Sequence, residues 1–359
     1  MSFLAPVIIL FAILGAVDYV IGNKLGIGEE FKKAFMLLGT MALSMIGMIV
    51  LAPLMGEVLS PVFEFTYKYL HIEPSIIPAA LLANDMGGAP LANEIAKNQS
   101  VGGFNALVVS SMMGATVSFT IPFAIGVVGK ENHREMFLGF LCGIVTIPLG
   151  CLISGLFCDI WIVDLLLDLL PLLIFSAIIA VGLIKVPNLC IKIFRIFATL
   201  MTVLIVIGLL MGIVNFLLGK EIIKGIATLE EGAMVCFNAS IVMSGMFPLI
   251  SIISRLLKKP LMLIGKKVGI NEISAVGFIS TLATNATTLG MMDKMDKKGV
   301  MLNSAFAVSA AFTFAGHLAF TISYDQSYLL PVIIGKVTAG IFAVVLAAII
   351  YKFNSGDEK

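Results

Sequence analysis

Asn84, Asp85, Asn93 and Glu94 lie close together beside Gly87, Gly88 and Pro90, in the stretch LLANDMGGAPLANE at residues 81–94. The surrounding chain is apolar nearly end to end. A carboxylate and amides in such a setting can accept hydrogen bonds from an amine or a hydroxyl group. A second stretch, STLATNATT at residues 280–288, offers Thr284, Asn285, Thr287 and Thr288, which are hydroxyls and amides without a charge. One segment therefore supplies an anion and the other neutral donors and acceptors. A small solute with a cationic end and a hydroxyl end suits that pair. Gly87 and Gly88 permit a tight reversal and close backbone approach.

Composition places these residues in a membrane. The 359-residue chain is 59% hydrophobic and 13% charged, with a mean hydropathy of +1.08. Soluble domains carry about 25% charged residues, so the chain reads as an all-α polytopic membrane protein. Its net charge of +1 shows no basic excess that would suit nucleic acid. The cysteines Cys142, Cys151, Cys158, Cys190 and Cys236 fall in or beside apolar stretches and form no CxxC. They read as small core residues, so no metal and no cofactor is expected. No basic residue precedes the apolar run that opens at Phe3, which argues for a first span without a cleavable leader.

Nine apolar stretches reach the roughly 20 residues a span needs. They cover about 3–22, 34–56, 103–128, 136–158, 161–184, 196–218, 232–254, 301–323 and 329–351. Two more, 75–92 and 273–292, are broken by Pro, Gly and polar residues. If all eleven cross, Lys and Arg divide evenly between the two sides. If the two broken segments enter and leave on one side, eighteen of the 23 Lys and Arg gather on one face and four on the other, with Lys336 inside a span. The excess of basic residues marks the cytoplasmic face. The expectation is thus nine transmembrane helices plus two re-entrant segments, with the N-terminus outside and the C-terminus cytoplasmic.

The halves echo each other. LAPL at 51–54 pairs with MFPL at 246–249, ALLAND at 80–85 with STLATN at 280–285, and VSFTI at 117–121 with LAFTI at 318–322. In series these suggest two inverted five-segment repeats. Residues 1–158 would form the first and 196–351 the second, with 159–195 as a linking helix and loop and 352–359 as a cytoplasmic tail. Inverted repeats with paired broken helices point to a transporter site near the bilayer midplane. The amphipathic stretches 57–73 and 255–270 are expected along the membrane surface.

The candidate substrate-binding residues are Asn84, Asp85, Gly87, Gly88, Thr284 and Asn285, with Asn93, Thr287 and His317 as secondary candidates. Asp85 also fits a structural turn or cap position, and His317 fits either proton handling or packing. Phe104 or Phe119 could add a cation–π face. Asp18 reads as reaching the headgroups, Asp164 and Asp168 as interfacial, and Lys336 as snorkelling outward. The strips Ser110–Ser111–Thr116 and Asn238–Ser240–Ser244 read as helix packing. Two alternatives stand beside this: a transporter of another small polar solute, and an intramembrane enzyme holding magnesium through Asp164, Asp168, Asp293 and Asp296. Under the expected topology those two pairs lie on opposite faces, so no catalytic residue is assigned.

LLANDMGGAPLA in a re-entrant position, its echo STLATNATTLGMMDKMD at 280–296 and the N-terminal FLAPVIILFAILGAVDYVIGNKLGIGEEFKKAF at 3–35 resemble the EutH ethanolamine-utilisation transporter family. The similarity runs along the whole chain. The resemblance implies a permease of the bacterial inner membrane that imports ethanolamine for breakdown by a cobalamin-dependent lyase. It implies no residue-level site. Ethanolamine is a primary amine, protonated at neutral pH as lysine is. The expected pairing puts Asp85 on the ammonium, with Asn84, Asn285 and Thr284 on the hydroxyl. The expected partners are this solute, the lipid bilayer and, as an option, further copies of the chain.

Overall fold

A computed structural model describes residues 4–70 and 72–356. Residues 1–3 of the expected first repeat and 357–359 of the expected tail lie outside the described residues. All regular structure among the described residues is helical. Among the described residues, seven helices are long and apolar enough to cross a membrane. The chain is an all-helical, multi-pass membrane protein.

The first helix, α1 (Leu4–Val20), has 17 residues and ends at a buried carboxylate. Asp18 is expected at the headgroups. Instead it is fully buried and accepts three backbone N–H groups, from Leu25 at 2.7 Å, Ile27 at 2.9 Å and Gly28 at 2.8 Å. Those donors sit in the turn and at the start of α2 (Gly28–Met36), which would otherwise be orphaned. The carboxylate thus locks the α1–α2 corner, to which Arg255 adds bonds onto the Leu25 and Gly26 carbonyls. Replacing Asp18 by Ala strands three donors and lowers the melting temperature of the purified protein by several degrees, readable by thermal unfolding in detergent.

The chain continues as α3 (Leu38–Leu70), which carries Pro53 and Pro61 inside it. The expected surface stretch 57–73 is therefore not separate: through Leu70 it is the continuation of this helix. Then come two short helices, α4 (Ile76–Leu81) and α5 (Gly88–Ile95), separated by an extended step at Leu82–Ala83 and one 3-10 turn at Asn84–Met86. The two ends of this segment meet. The Glu73 carboxylate accepts from the backbone N–H of Lys97 at 2.8 Å and of Asn98 at 3.2 Å.

Next, α6 (Gln99–Phe104) runs unbroken through π-helical turns at 105–114 and 116–120 into α7 (Ile121–Val127). Then come α8 (His133–Gly155) and α9 (Ile162–Lys185). Asp168 on α9 is expected at the interface. It is 3% exposed and accepts from Asn105 Nδ2 at 2.9 Å, while the same amide reaches Ser75 Oγ at 3.0 Å. The linking helix is thereby fastened to the entrance of the first broken segment.

The long helices α10 (Pro187–Leu218) and α11 (Leu229–Val268) follow. Pro248 and Pro260 lie inside α11, and most of the expected surface stretch 255–270 again belongs to it. The second broken segment is α12 (Glu272–Ala283) and α13 (Asn285–Gly290), with an extended step at Thr284. Its ends also meet: Asn271 donates its N–H to Asp296 Oδ1 at 2.8 Å and its side-chain amide to the Lys294 carbonyl at 3.0 Å. Asp293 accepts from Gly129 N–H at 3.0 Å and Asn132 Nδ2 at 3.1 Å. Asp293 and Asp296 are thus occupied as loop fasteners.

The expected span 301–323 is not one helix. It divides into α14 (Lys297–Ala310) and α15 (Gly316–Tyr324) around a turn in which Phe312 takes φ +59°. The reason lies in hydrogen bonding. Phe312 N–H donates to the Thr281 carbonyl at 3.1 Å and Phe314 N–H to the Leu282 carbonyl at 3.0 Å. Thr116 Oγ1 donates to the Val308 carbonyl at 2.8 Å. One interrupted helix thus satisfies backbone groups freed by another, as an apolar surround requires. The chain ends in α16 (Leu329–Gly356). In the assembly α8 packs against α14 and α16, α3 against α10, and α1 against α11.

Candidate functional site

The break in the first segment is held by its own glycines and by the π-helical turns beside it. Gly87 takes φ +99°, a left-handed conformation that L side chains rarely adopt. A Cβ on Gly88 would fall 2.2 Å from the Leu82 carbonyl oxygen. Ala83 N–H donates to Ser118 Oγ at 3.1 Å, and that hydroxyl donates to the Gly114 carbonyl at 2.7 Å. These constraints present Asp85 at the wall of a cavity of about 550 Å³.

The cavity draws on both broken segments. Asp85 lines it from the first, and Ser280, Ala283, Thr284 and Thr287 line it from the second. Phe312 and Gly316 contribute from the α14–α15 turn. At its other end the lining includes Glu30, Lys33 and Arg255, so the cavity runs from the basic-rich end of the protein to the carboxylate. The Asp85 side chain is 27% exposed.

Behind Asp85 stands a short file of polar groups. His317 Nε2 lies 3.8 Å from Asp85 Oδ1. On the far side of the ring, His317 Nδ1 lies 3.1 Å from Lys336 Nζ, which also donates to the Ser111 carbonyl. His317 is 2% exposed and Lys336 fully buried. Lys336 is expected to snorkel outward. Instead it points into the bundle, because an acceptor carbonyl, an imidazole and a carboxylate gather there and lipid offers none of these. The nearby thiols are Cys151, on the Lys336 side, and Cys236, on the Asp85 side.

The remaining candidate residues divide. Thr284 and Thr287 line the cavity, and Thr284 Oγ1 also accepts from Ala286 N–H at 3.3 Å as the cap of α13. Asn285 is buried and donates through Nδ2 to Thr120 Oγ1 at 2.9 Å, outside the lining. Asn84 is fully buried, also outside the lining, and its side-chain atoms have no hydrogen-bond partner among the described residues. Asn93 is exposed on α5 and joins none of these groups. Phe104 is fully buried. Phe119 is outside the lining, edge-on to Phe312 at 5.7 Å between ring centres, and Phe312 and Phe247 are the aromatic side chains of the lining.

Sequence reasoning missed Phe312, Ser280 and the partnership of Lys336 with His317. The spacing of His317 and Lys336 was a faint signal, since two ionisable side chains on adjacent apolar segments need partners.

A polytopic helical protein whose cavity leads from a charged end to a carboxylate among its helices has the form of a membrane transport protein. The chain belongs to the family described as "Ethanolamine utilisation protein, EutH", whose sequence model matches residues 2–350. That family is one of permeases. A probable ethanolamine permease EutH of Listeria monocytogenes is 40% identical over 98% of this chain and 94% of its own length. The proteins of the same name from Salmonella typhimurium and Escherichia coli are 37% and 36% identical, each over 90% of this chain and 85% of their own length. No solved structure matches the chain.

Proposed function

We infer that the protein imports ethanolamine, as the protonated amino alcohol, across the bacterial inner membrane. The observation that carries this reading is the cavity that Asp85 lines together with the hydroxyls of Thr284 and Thr287, with Glu30, the other carboxylate of the lining, beside Lys33 and Arg255. Those groups match an ammonium at one end of a small solute and a hydroxyl at the other. Phe312 adds a π face for the cation. The names of the relatives, probable ethanolamine permeases, support the same substrate. Asn285, buried at the second break, ties that segment to Thr120, and Gly87 and Gly88 let the carboxylate reach the cavity.

The route is alternating access between two inverted repeats, 1–158 and 196–351, joined by 159–195 and followed by a cytoplasmic tail, 352–359. Several symmetric features support it. Both broken segments return to where they started, through Glu73 in one and Asn271 with Asp296 in the other. Each follows a long helix with two internal prolines. The contact of α1 with α11 mirrors that of α10 with α3. On this reading the N-terminus is outside, the C-terminus is cytoplasmic, and the cavity that reaches Lys33 and Arg255 opens inward.

Uptake of labelled ethanolamine into proteoliposomes tests the reading. Saturable uptake above protein-free vesicles supports it, and uptake no faster than in those vesicles sinks it. The hydroxyl contact has its own test. Losing one or two hydrogen bonds of about 1 kcal/mol each lowers affinity roughly tenfold. The double substitution Thr284→Val with Thr287→Val should weaken competition by ethanolamine about that much and leave competition by ethylamine, which has no hydroxyl, nearly unchanged.

A further inference from the structure

The site has an ionic balance of its own before any substrate arrives. Asp85 and Lys336 have opposite charges, both belong to the protein interior, and His317 stands between them at 3.8 Å from one and 3.1 Å from the other. Charges in the membrane interior are retained only where they pair with one another or with backbone carbonyls; Lys336 has the Ser111 carbonyl and reaches Asp85 through His317. An ammonium that enters and pairs with Asp85 upsets this balance. It leaves the ammonium and Lys336 as two cations against one carboxylate in a water-poor wall, and an unpaired buried charge is strongly unfavourable.

The geometry points to Lys336 as the resident counter-ion of Asp85, which gives up its proton through His317 when a substrate cation takes its place, so that cation import is exchanged for a proton. This rests on the import reading above and deepens it. The step balances. The Nζ–H bond of Lys336 breaks and its proton passes to Nδ1 of His317. The Nε2–H bond of the imidazole breaks and that proton leaves by the cavity wall, and Lys336 remains as a neutral amine. On return the same transfers run backwards. The loaded and empty sites then have equal charge, and neither crosses the membrane as a net ion.

The groups that face this file from the surrounding elements are few. Asp85 faces it from the first broken segment, His317 from α15, Cys151 from α8 and Cys236 from α11. Asp168 on α9 lies beyond Cys151. The stretch 105–114 and the helix from Gly299 to Ala310 carry no titratable side chain, and the former offers only the Ser111 carbonyl to Lys336. Among the described residues, His317 is thus the one imidazole placed to pass a proton between lysine and cavity. It is a positioning and relay residue, not one that must touch the solute.

Calorimetric titration of the detergent-purified protein with ethanolamine, at pH 7 in two buffers of different ionisation enthalpy, counts protons released per amine bound. The expected count is near one for the wild type and near zero for Lys336→Arg, whose guanidinium keeps its proton at any accessible pH. Lys336→Gln should also release none. In proteoliposomes, an inside-negative potential of about 100 mV should change the wild-type initial rate less than twofold but accelerate Lys336→Gln several-fold. Saturable binding by the wild type without proton release overturns the exchange and leaves the import reading intact. Absence of any ethanolamine binding overturns both. The wild-type count decides even if the variants do not fold.

Discussion

Asp85→Asn should lose uptake of ethanolamine by about 100-fold or more while the protein still reaches the membrane at normal levels. The amide is nearly the same size as the carboxylate, so the break at 82–87 keeps its shape. What vanishes is the attraction between an anion and an ammonium at the end of a narrow cavity. At about 4 Å that attraction is worth roughly 1 kcal/mol in water and about 4 kcal/mol at the effective dielectric of a protein surface. Each 1.4 kcal/mol is a factor of about ten, and the site lies between those limits because Asp85 is partly exposed. Initial rates in proteoliposomes, normalised to protein, check this. Wild-type rates in Asp85→Asn would make the carboxylate a turn residue with no part in recognition.

Gly114→Ala should cost the fold more than any change within the cavity. Gly114 lies in the π-helical stretch, where the first broken segment leans against it. A Cβ there would meet the Leu82 carbonyl oxygen at 1.9 Å and the Ala79 carbonyl oxygen at 2.6 Å. Both obstacles are backbone, which cannot swing aside as a side chain can. Overpacking typically costs about 1–3 kcal/mol. Here the push also displaces Ser118, which holds Ala83 N–H, so the loss should sit at or above the top of that range. The variant should melt well below the wild type in detergent, and the protein that survives should bind ethanolamine weakly because Asp85 is no longer presented to the cavity. Unchanged stability in Gly114→Ala would mean that the break is not supported at this contact.

Together these two substitutions separate recognition from support. Asp85 acts by its charge and tolerates its own replacement in shape. Gly114 acts by having no side chain and touches nothing in the cavity. A transport loss with normal melting belongs to the first kind, and a melting loss to the second.

The sequence by itself determined the class of protein, the two broken segments and the carboxylate between them. These are local properties. Apolar length decides whether a helix spans, Gly and Pro decide where it stops, and a lone Asp in such a stretch stands out whatever surrounds it. Thr284 and Thr287 stand out in the same way, as hydroxyls in an apolar stretch, and both line the cavity. The division of 301–323 was not, because AFTFAG contains no proline and only one glycine. The turn exists because carbonyls of α12, distant in sequence, accept its N–H groups. Likewise Asn84 and Asn285 looked like ligands from their types alone, and the fold turned one into the protein interior and bonded the other to Thr120. Lys336 shows the limit most sharply. Its position two turns inside a span suggests a side chain reaching for water. Only the tertiary structure brings Ser111, His317 and Asp85 around it, from three other parts of the chain. Where a charge points is set by the partners within a few ångströms of it, and those partners are assembled by packing across hundreds of residues, not by the neighbours along the chain.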